Sequence, residues 1–151
     1  MVSVTIDEYR GVLGVTLAYI GLHVAFQMLQ SYSKWSLLLA QKKKMKDGEK
    51  PLSFKEAHYG ESSRLQPIRL MADRSVGNIL EWSWVFMAPL WLHAIFISEP
   101  NATKWGWTYV VMRAFYPLAF YKKIPWGVTV ANYGSLTMLI YPLVWEVFLK
   151  G

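Results

Sequence analysis

Long stretches with almost no charge limit what this chain can fold into. They occupy residues 11–29, 82–97, 105–121 and 124–145. As helices of about 20 residues they can cross a hydrocarbon core, although the second needs the polar residues before it to reach that length. Lipid offers no partners to open backbone groups, so spanning helices are the economical solution. The sequence therefore predicts an all-α fold, a membrane four-helix bundle that forms a single transmembrane domain over residues 1–151.

Composition supports the membrane assignment. Of the 151 residues 54% are hydrophobic, with eight tryptophans and nine tyrosines, which is unusual for a soluble domain. Glycine and proline inside the apolar stretches are common in membrane helices, where neighbouring helices satisfy the backbone. The alternative, a set of buried core helices in a soluble protein, fits these lengths poorly.

Basic residues concentrate in two connections between the predicted spans, residues 41–69 and residues 122–123. The positive-inside rule places both connections on the cytosolic or equivalent side, with the two termini opposite. The net charge of +6 is then mainly a topology signal. No nucleic-acid-binding motif accompanies the lysines, so we expect contact with anionic lipid headgroups and no nucleic-acid partner.

Several kinds of site are excluded by the residue types present. Cysteine is absent, which rules out disulfides, thiolate metal sites and cysteine nucleophiles. His23 and His93 have no companions at metal-ligand spacing, so we expect hydrogen-bonded packing histidines and no metal site. The chain also lacks a recognisable phosphate loop or dinucleotide-binding fingerprint.

Arg74, Asn78 and Glu81 precede the second apolar stretch and form its most informative pattern. At about 100° per residue on a helix, steps of four and three place all three in one narrow stripe. An ionisable residue in or near lipid is costly and should face a bundle interior or a wet cavity. The stripe is therefore a candidate functional site.

Arg113 and Tyr116 add a second polar pair in the third stretch, on neighbouring turns of one helix face. Glu81 can neutralise one of the two arginines. The other is then free to bind a carboxylate or phosphate, which suits a planar guanidinium. Alternatively, these side chains form a self-satisfied network that only holds the helices together. Residue chemistry alone leaves both interpretations open.

Taken together, the patterns Arg-x-x-x-Asn-x-x-Glu at residues 74–81 and Arg-x-x-Tyr at residues 113–116 resemble those of the MAPEG family. This family comprises membrane-associated proteins in eicosanoid and glutathione metabolism. Its members are four-helix proteins of about this length, usually homotrimers. They include microsomal glutathione transferases, leukotriene and prostaglandin synthases, and a non-catalytic lipid-binding protein.

The resemblance implies a glutathione site between neighbouring subunits, open to the cytosolic side. Arg74 and Arg113 would bind or orient the carboxylates of the tripeptide. Asn78 and Glu81 would hydrogen-bond its other polar groups, including the amine, and Tyr116 would line the pocket. These roles follow from the family pattern and not from the spacing alone.

A further match is looser, and three features depart from the family pattern. Lys34 stands near a position where the family often has a basic residue, so the resemblance also makes it a candidate glutathione-binding residue. Leu70 and Met71 replace a Glu-Arg pair, and Phe120 replaces a tyrosine. Active members usually have an arginine after the third helix that stabilises the thiolate of glutathione. Here Lys123 is a weak catalytic candidate, since a flexible point charge differs from a fixed fork.

Two functions follow from these patterns. The first is a glutathione-dependent transferase or peroxidase acting on lipophilic electrophiles or lipid hydroperoxides that enter from the bilayer. The second is a non-catalytic relative that binds lipid or serves as an accessory subunit of a larger membrane complex. In either case the expected partners are membrane lipids and further subunits, as a homotrimer or in that complex. We expect the endoplasmic reticulum or an organellar membrane.

Overall fold

The structure is a computed structural model that describes residues 6–44, 53, 55 and 67–149. Within these residues the chain forms helices and turns and contains no β-strand, which confirms the predicted all-α fold. Most of the lysine-rich connection predicted at residues 41–69 lies outside the described residues.

The described helices include all four predicted apolar stretches, but the first helix extends beyond the first stretch and the second helix precedes the second stretch. In chain order they are a short 3₁₀ turn Ile6–Tyr9, α1 Arg10–Lys44, α2 Pro67–Glu81, α3 Ser83–Phe96, α4 Glu99–Ala114, α5 Tyr116–Tyr121, α6 Pro125–Val144 and a π-helical turn Trp145–Leu149. Helix α1 packs on α2 and α4, and α6 packs on α3 and α4. The short α5 packs on α2, and this contact brings the two polar patterns of the sequence together.

One part of the described chain is long and apolar enough to cross a membrane, and a second is so if two bent helices form one span. One is Ile6–Lys43, and the other is α2 with α3, if this pair, bent by 42°, forms one span. Helix α1 has 35 residues and is about 52 Å long, so it continues well past the end predicted at residue 29. Helix α4 has 16 residues and includes three charged ones. Among the described residues neither α4 nor α6 meets the same criterion, so spans three and four remain predictions.

The bend between α2 and α3 lies at Trp82, where no proline explains it. The carbonyl oxygen of Ile79 accepts hydrogen bonds from the Ser83 hydroxyl at 2.6 Å and from the Tyr19 hydroxyl at 2.9 Å. These hydroxyls take the place of the regular helical partner, since side-chain donors compete with backbone ones for the same acceptor. The bend is thus stabilised by a side chain of α1.

The break between α4 and α5 lies at Phe115 and has a simpler cause. Pro117 has no N–H to donate to the carbonyl of Arg113, so the regular helical bond cannot form there. The Phe115 N–H instead bonds the carbonyl oxygen of Met112 at 3.2 Å, which closes a tighter turn. The break turns α5 toward α2.

The core between α1, α3 and α4 is aromatic. Phe86 is fully buried and stacks on Tyr109, with ring centroids 4.0 Å apart and planes 12° apart. Tyr19 packs against Phe86 at 5.0 Å. Offset aromatic pairs of this kind add to the dispersion energy of close packing, which is the main source of helix association in lipid.

Gly106→Ala should destabilise the protein because α4 approaches its neighbours closely at this residue. A Cβ atom at Gly106 would lie 2.8 Å from side-chain carbons of both Leu90 and Val15. We expect a loss of about 1–3 kcal/mol in unfolding free energy, the usual cost of overpacking. Thermal unfolding in detergent measures it. Gly21→Ala is the matched control, because Gly21 is exposed and a Cβ atom there would meet no other part of the structure within 4 Å. An equal loss in both variants would contradict the packing argument.

Candidate functional site

Helix α2 has two distinct faces. Its buried residues recur at helical spacing and are Arg69, Ala72, Ser75, Val76 and Ile79. Arg74 and Glu81 are exposed and Asn78 is half-buried, so the predicted stripe lies beside the face that packs on α1. The stripe lies outside the buried face of α2, so packing against the other described helices does not cover Arg74 and Glu81.

The stripe lines a polar cavity of about 270 Å³, which we call the stripe cavity. The residues around it are Asp73, Arg74, Gly77, Asn78, Glu81 and Tyr116. Tyr116 comes from α5, and the other five come from α2. The structure therefore brings four of the predicted site residues to one cavity: Arg74, Asn78, Glu81 and Tyr116.

Asp73 is a lining residue that the sequence patterns did not single out. Its Oδ1 accepts a hydrogen bond from Nε2 of Gln30 at 2.7 Å and lies 3.7 Å from Nζ of Lys34. Lys34 is buried and does not line the stripe cavity, but it pairs with Asp73, which does. The sequence spacing could have identified Asp73, because it precedes Gly77 by four residues and Glu81 by eight. Residues at these intervals lie on one face of a helix.

Arg113 lies behind the stripe cavity and does not line it. It is only 1% exposed because it occupies the buried face of α4, seven residues after Gly106. Its Nη2 donates a hydrogen bond to the backbone carbonyl of Asn78 at 3.0 Å. The guanidinium carbon also lies 5.6 Å from the ring centre of Tyr116. Arg113 therefore contacts two residues that line the cavity.

The surroundings of Arg113 are aromatic. Its guanidinium carbon lies 5.5 Å from the ring centre of Tyr109 and 6.0 Å from that of Trp82. Cation–π contacts of this kind offset part of the cost of burying a charge. Its Nε has no hydrogen-bond partner among the described residues. A buried cation held in this way projects positive potential toward a nearby cavity, because little solvent screens it.

Asn78 carries the clearest sign that the stripe cavity takes a polar ligand. Its side-chain Oδ1 is buried, with no hydrogen-bond partner among the described residues. Leaving such an acceptor unsatisfied is costly, so a donor from a ligand or water is expected there. The same cavity presents the guanidinium of Arg74 and the carboxylate of Glu81. A ligand with both negative and positive groups fits this donor and acceptor set.

Lys123 lies at a different cavity, which we call the apolar cavity. This cavity has a volume of about 420 Å³ and is lined by Pro67, Leu70, Ala119, Phe120, Tyr121, Lys123 and Ile124. The ring of Phe120 stacks on Tyr116, with centroids 6.1 Å apart, so these two rings stand between the two cavities. Three residues at which the chain departs from the family pattern line the apolar cavity: Leu70, Phe120 and Lys123.

His93 is a packing residue, as the sequence predicted. It is 2% exposed, and its Nδ1 donates to the carbonyl oxygen of Leu139 at 3.1 Å, which links α3 to α6. His23 is partly exposed and its Nε2 lies 3.3 Å from Nε2 of Gln27 on the same helix. Neither histidine reaches the stripe cavity.

Comparison with known proteins identifies the family of this chain. Curated proteins and solved structures gave no significant match to the chain. The model of the MAPEG family matches residues 16–145, which include every described residue of both cavities. The matched range includes the stripe, Trp82 and Arg113. The chain therefore belongs to the MAPEG family of membrane proteins.

Proposed function

We propose that the stripe cavity binds glutathione and that the protein is a glutathione-dependent transferase or peroxidase for lipophilic electrophiles or lipid hydroperoxides. Members of the MAPEG family generally use glutathione. The observation that carries the proposal is that Asn78, whose side-chain Oδ1 is buried and has no partner among the described residues, lines one cavity together with Arg74 and Glu81. Glutathione has two carboxylates, one ammonium group and two amides, which complement these three side chains.

Each lining residue has a distinct part in holding the tripeptide. The guanidinium of Arg74 matches a carboxylate, because it offers parallel N–H donors in one plane. Glu81 and Asp73 provide the negative charge that an ammonium group requires. The amide of Asn78 both donates and accepts hydrogen bonds, as a peptide group requires. The hydroxyl of Tyr116 adds a further donor at the α5 side of the cavity.

Arg113 contributes to reactivity from behind the cavity wall. Glutathione supplies a thiol, whose deprotonated form is the nucleophile toward an electrophile or a peroxide oxygen. Positive charge in a poorly solvated place favours that thiolate. Arg113 supplies such a charge and positions the Asn78 backbone through its 3.0 Å hydrogen bond. Lys123 has no role in this proposal, since it lines the apolar cavity.

The size of the stripe cavity supports a shared site. At about 270 Å³ it lies below the range of about 300–1,000 Å³ that small-molecule sites usually occupy. Arg74 and Glu81 are exposed on one chain, and a neighbouring copy would enclose them. We therefore include in the proposal a homotrimer in which the adjacent subunit completes each cavity.

Glutathione titration of the purified protein in detergent tests the proposal. We expect millimolar glutathione to raise the unfolding temperature, because a ligand that binds only the folded state stabilises it. Arg74→Met should weaken binding by about tenfold, measured by calorimetry, since an exposed charge-assisted hydrogen bond is lost. Its fold should be unchanged, because Arg74 is exposed and lies outside the buried face of α2.

Arg10→Met is the matched control for this titration. Arg10 is an exposed arginine at the start of α1, away from both cavities, and its replacement should leave glutathione affinity unchanged. If glutathione gives no stabilisation and Arg74→Met behaves like Arg10→Met, the transferase proposal fails. The non-catalytic alternative, a lipid-binding or accessory protein, is then favoured.

A further inference from the structure

We propose that Lys34 is a positioning residue of the stripe cavity, which acts through Asp73 and thereby lets the cavity accept the carboxylates of its ligand. The inference rests on the proposed glutathione site and concerns how that site obtains the charge it needs. Lys34 is not among the residues that line the cavity, whereas Asp73 is. Lys34 therefore acts on the ligand through the carboxylate that it contacts.

The side chains that line the stripe cavity carry an unfavourable net charge for glutathione. Asp73 and Glu81 contribute two negative charges, and Arg74 contributes one positive charge. Glutathione, with two carboxylates and one ammonium group, is also a net anion at neutral pH. Like charges repel, and they do so more strongly where little water separates them. To bind this ligand, the cavity needs positive charge from residues behind its lining.

Among the described residues three cations are buried: Lys34, Arg69 and Arg113. Arg113 donates a hydrogen bond to the backbone of Asn78, as described above. The guanidinium nitrogens of Arg69 have no hydrogen-bond partner in the described part of the chain, so Arg69 holds no lining side chain. Lys34 pairs with the carboxylate of Asp73. It is thus the buried cation that directly offsets a negative charge of the lining.

Asp73 is held in place by two residues of α1. Nζ of Lys34 lies 3.7 Å from Oδ1 of Asp73, and Nε2 of Gln30 donates a hydrogen bond of 2.7 Å to the same oxygen. The Asp73 side chain is 36% exposed, whereas Lys34 is buried. Within the described residues both contacts use Oδ1, so Oδ2 can accept a hydrogen bond from the ammonium group of a ligand.

The length of α1 makes this contact possible. The helix continues without a break to Lys44, well past residue 29, and it packs on α2. Gln30 and Lys34 are four residues apart and therefore lie on one face of α1. If α1 ended at residue 29, Asp73 would have neither partner from this helix.

Lys34 removes a conflict between two groups of the ligand. The ammonium group and one carboxylate of the γ-glutamyl residue are attached to the same carbon atom. Asp73 alone would attract the ammonium group and repel the adjacent carboxylate. With Lys34 beside it, Asp73 still accepts a hydrogen bond, while the opposite charge offsets its repulsion of the carboxylate. Arg74, the next residue in the sequence, can then bind that carboxylate.

Calorimetric titration of the full-length protein with glutathione in detergent tests this inference. Lys34→Met keeps an unbranched apolar stem and removes the charge, and it should weaken binding about tenfold. Asp73→Asn should weaken binding less than about threefold, because asparagine still accepts a hydrogen bond. The double variant Lys34→Met/Asp73→Asn should bind within about threefold of the wild type, because the repulsion is removed together with the charge that offset it.

Two further variants separate the charge of Lys34 from its contact and its position. Gln30→Met removes a neutral hydrogen bond to the same oxygen of Asp73 and should weaken binding less than about threefold. Lys42→Met removes an exposed lysine from the same helix and should leave the affinity unchanged. Unfolding temperatures show whether each variant is folded. A purely structural Lys34→Met effect would lower this temperature but leave the affinity of the folded protein unchanged.

The possible failures are distinguishable. If the wild type binds no glutathione, the proposed function fails, and the inference about Lys34 fails with it. If the wild type binds glutathione and Arg74→Met weakens binding, but Lys34→Met binds like the wild type, only the inference about Lys34 is wrong. If the double variant binds as weakly as Lys34→Met, Lys34 does not act through Asp73. An equal loss of affinity in Gln30→Met would exclude the charge effect.

Discussion

Arg113→Met is expected to weaken glutathione binding by about 100-fold while changing the free energy of unfolding by less than about 1 kcal/mol. The affinity falls because a poorly screened positive charge is removed from behind the stripe cavity, and the Asn78 backbone loses the bond that positions it. The stability changes little because the desolvation cost of burying a cation is removed together with its hydrogen bond and cation–π contacts. Calorimetry with glutathione and thermal unfolding measure the two effects.

Two further variants decide what Arg113 contributes. Arg113→Lys keeps the charge and should recover about tenfold of the lost affinity, although a flexible ammonium cannot reproduce the geometry of the guanidinium. Lys104→Met removes an exposed cation from the same helix, one that stacks on Trp105, and should leave affinity unchanged. If Arg113→Met unfolds the protein and the fraction that stays folded binds glutathione normally, Arg113 is a structural residue only.

Phe86→Ala is expected to lower the free energy of unfolding by about 3 kcal/mol, the largest stability effect that we predict. Phe86 is fully buried between α1 and α4, where it stacks on Tyr109 and contacts Tyr19. In lipid the transfer of an apolar side chain contributes little, but the empty volume left by the ring still removes its dispersion contacts. Denaturant unfolding in detergent measures the loss.

Phe96→Ala is the matched control, because Phe96 lies on the same helix and is 71% exposed. It should change the free energy of unfolding by less than about 0.5 kcal/mol. Phe86→Leu should recover much of the lost stability, since it refills most of the volume. A similar loss for Phe86→Ala and Phe96→Ala would show that the aromatic core does not hold the bundle together.

The two helix breaks differ in how visible they are in the sequence. Pro117 marks the break at Phe115, because the missing N–H prevents the regular bond to Arg113. No residue type in the sequence indicates the bend at Trp82. This bend depends on hydrogen bonds from the hydroxyl groups of Tyr19 and Ser83 to the Ile79 carbonyl oxygen. Tyr19 is 60 residues away from Ile79 along the chain, and no local pattern reports a contact over that separation.

The candidate site could be predicted only in part for a similar reason. The spacing of Arg74, Asn78 and Glu81 already placed them on one face of one helix. Asp73 lies on the same helix face as Glu81, but its contacts with Gln30 and Lys34 on another helix could not be read from that spacing. Periodicity in the third stretch paired Arg113 with Tyr116, but it did not reveal that Arg113 lies on the buried face of α4.

Sequence alone determined the helical fold class, the membrane setting, the polar stripe and the family, because these depend on composition, periodicity and local motifs. Tertiary structure alone decided that Arg113 lies behind the stripe cavity and that Leu70, Phe120 and Lys123 meet in a second, apolar one. The physical reason is that a periodic pattern gives the direction of a side chain around its own helix axis. Which other helix it faces depends on packing between segments that are far apart in the chain.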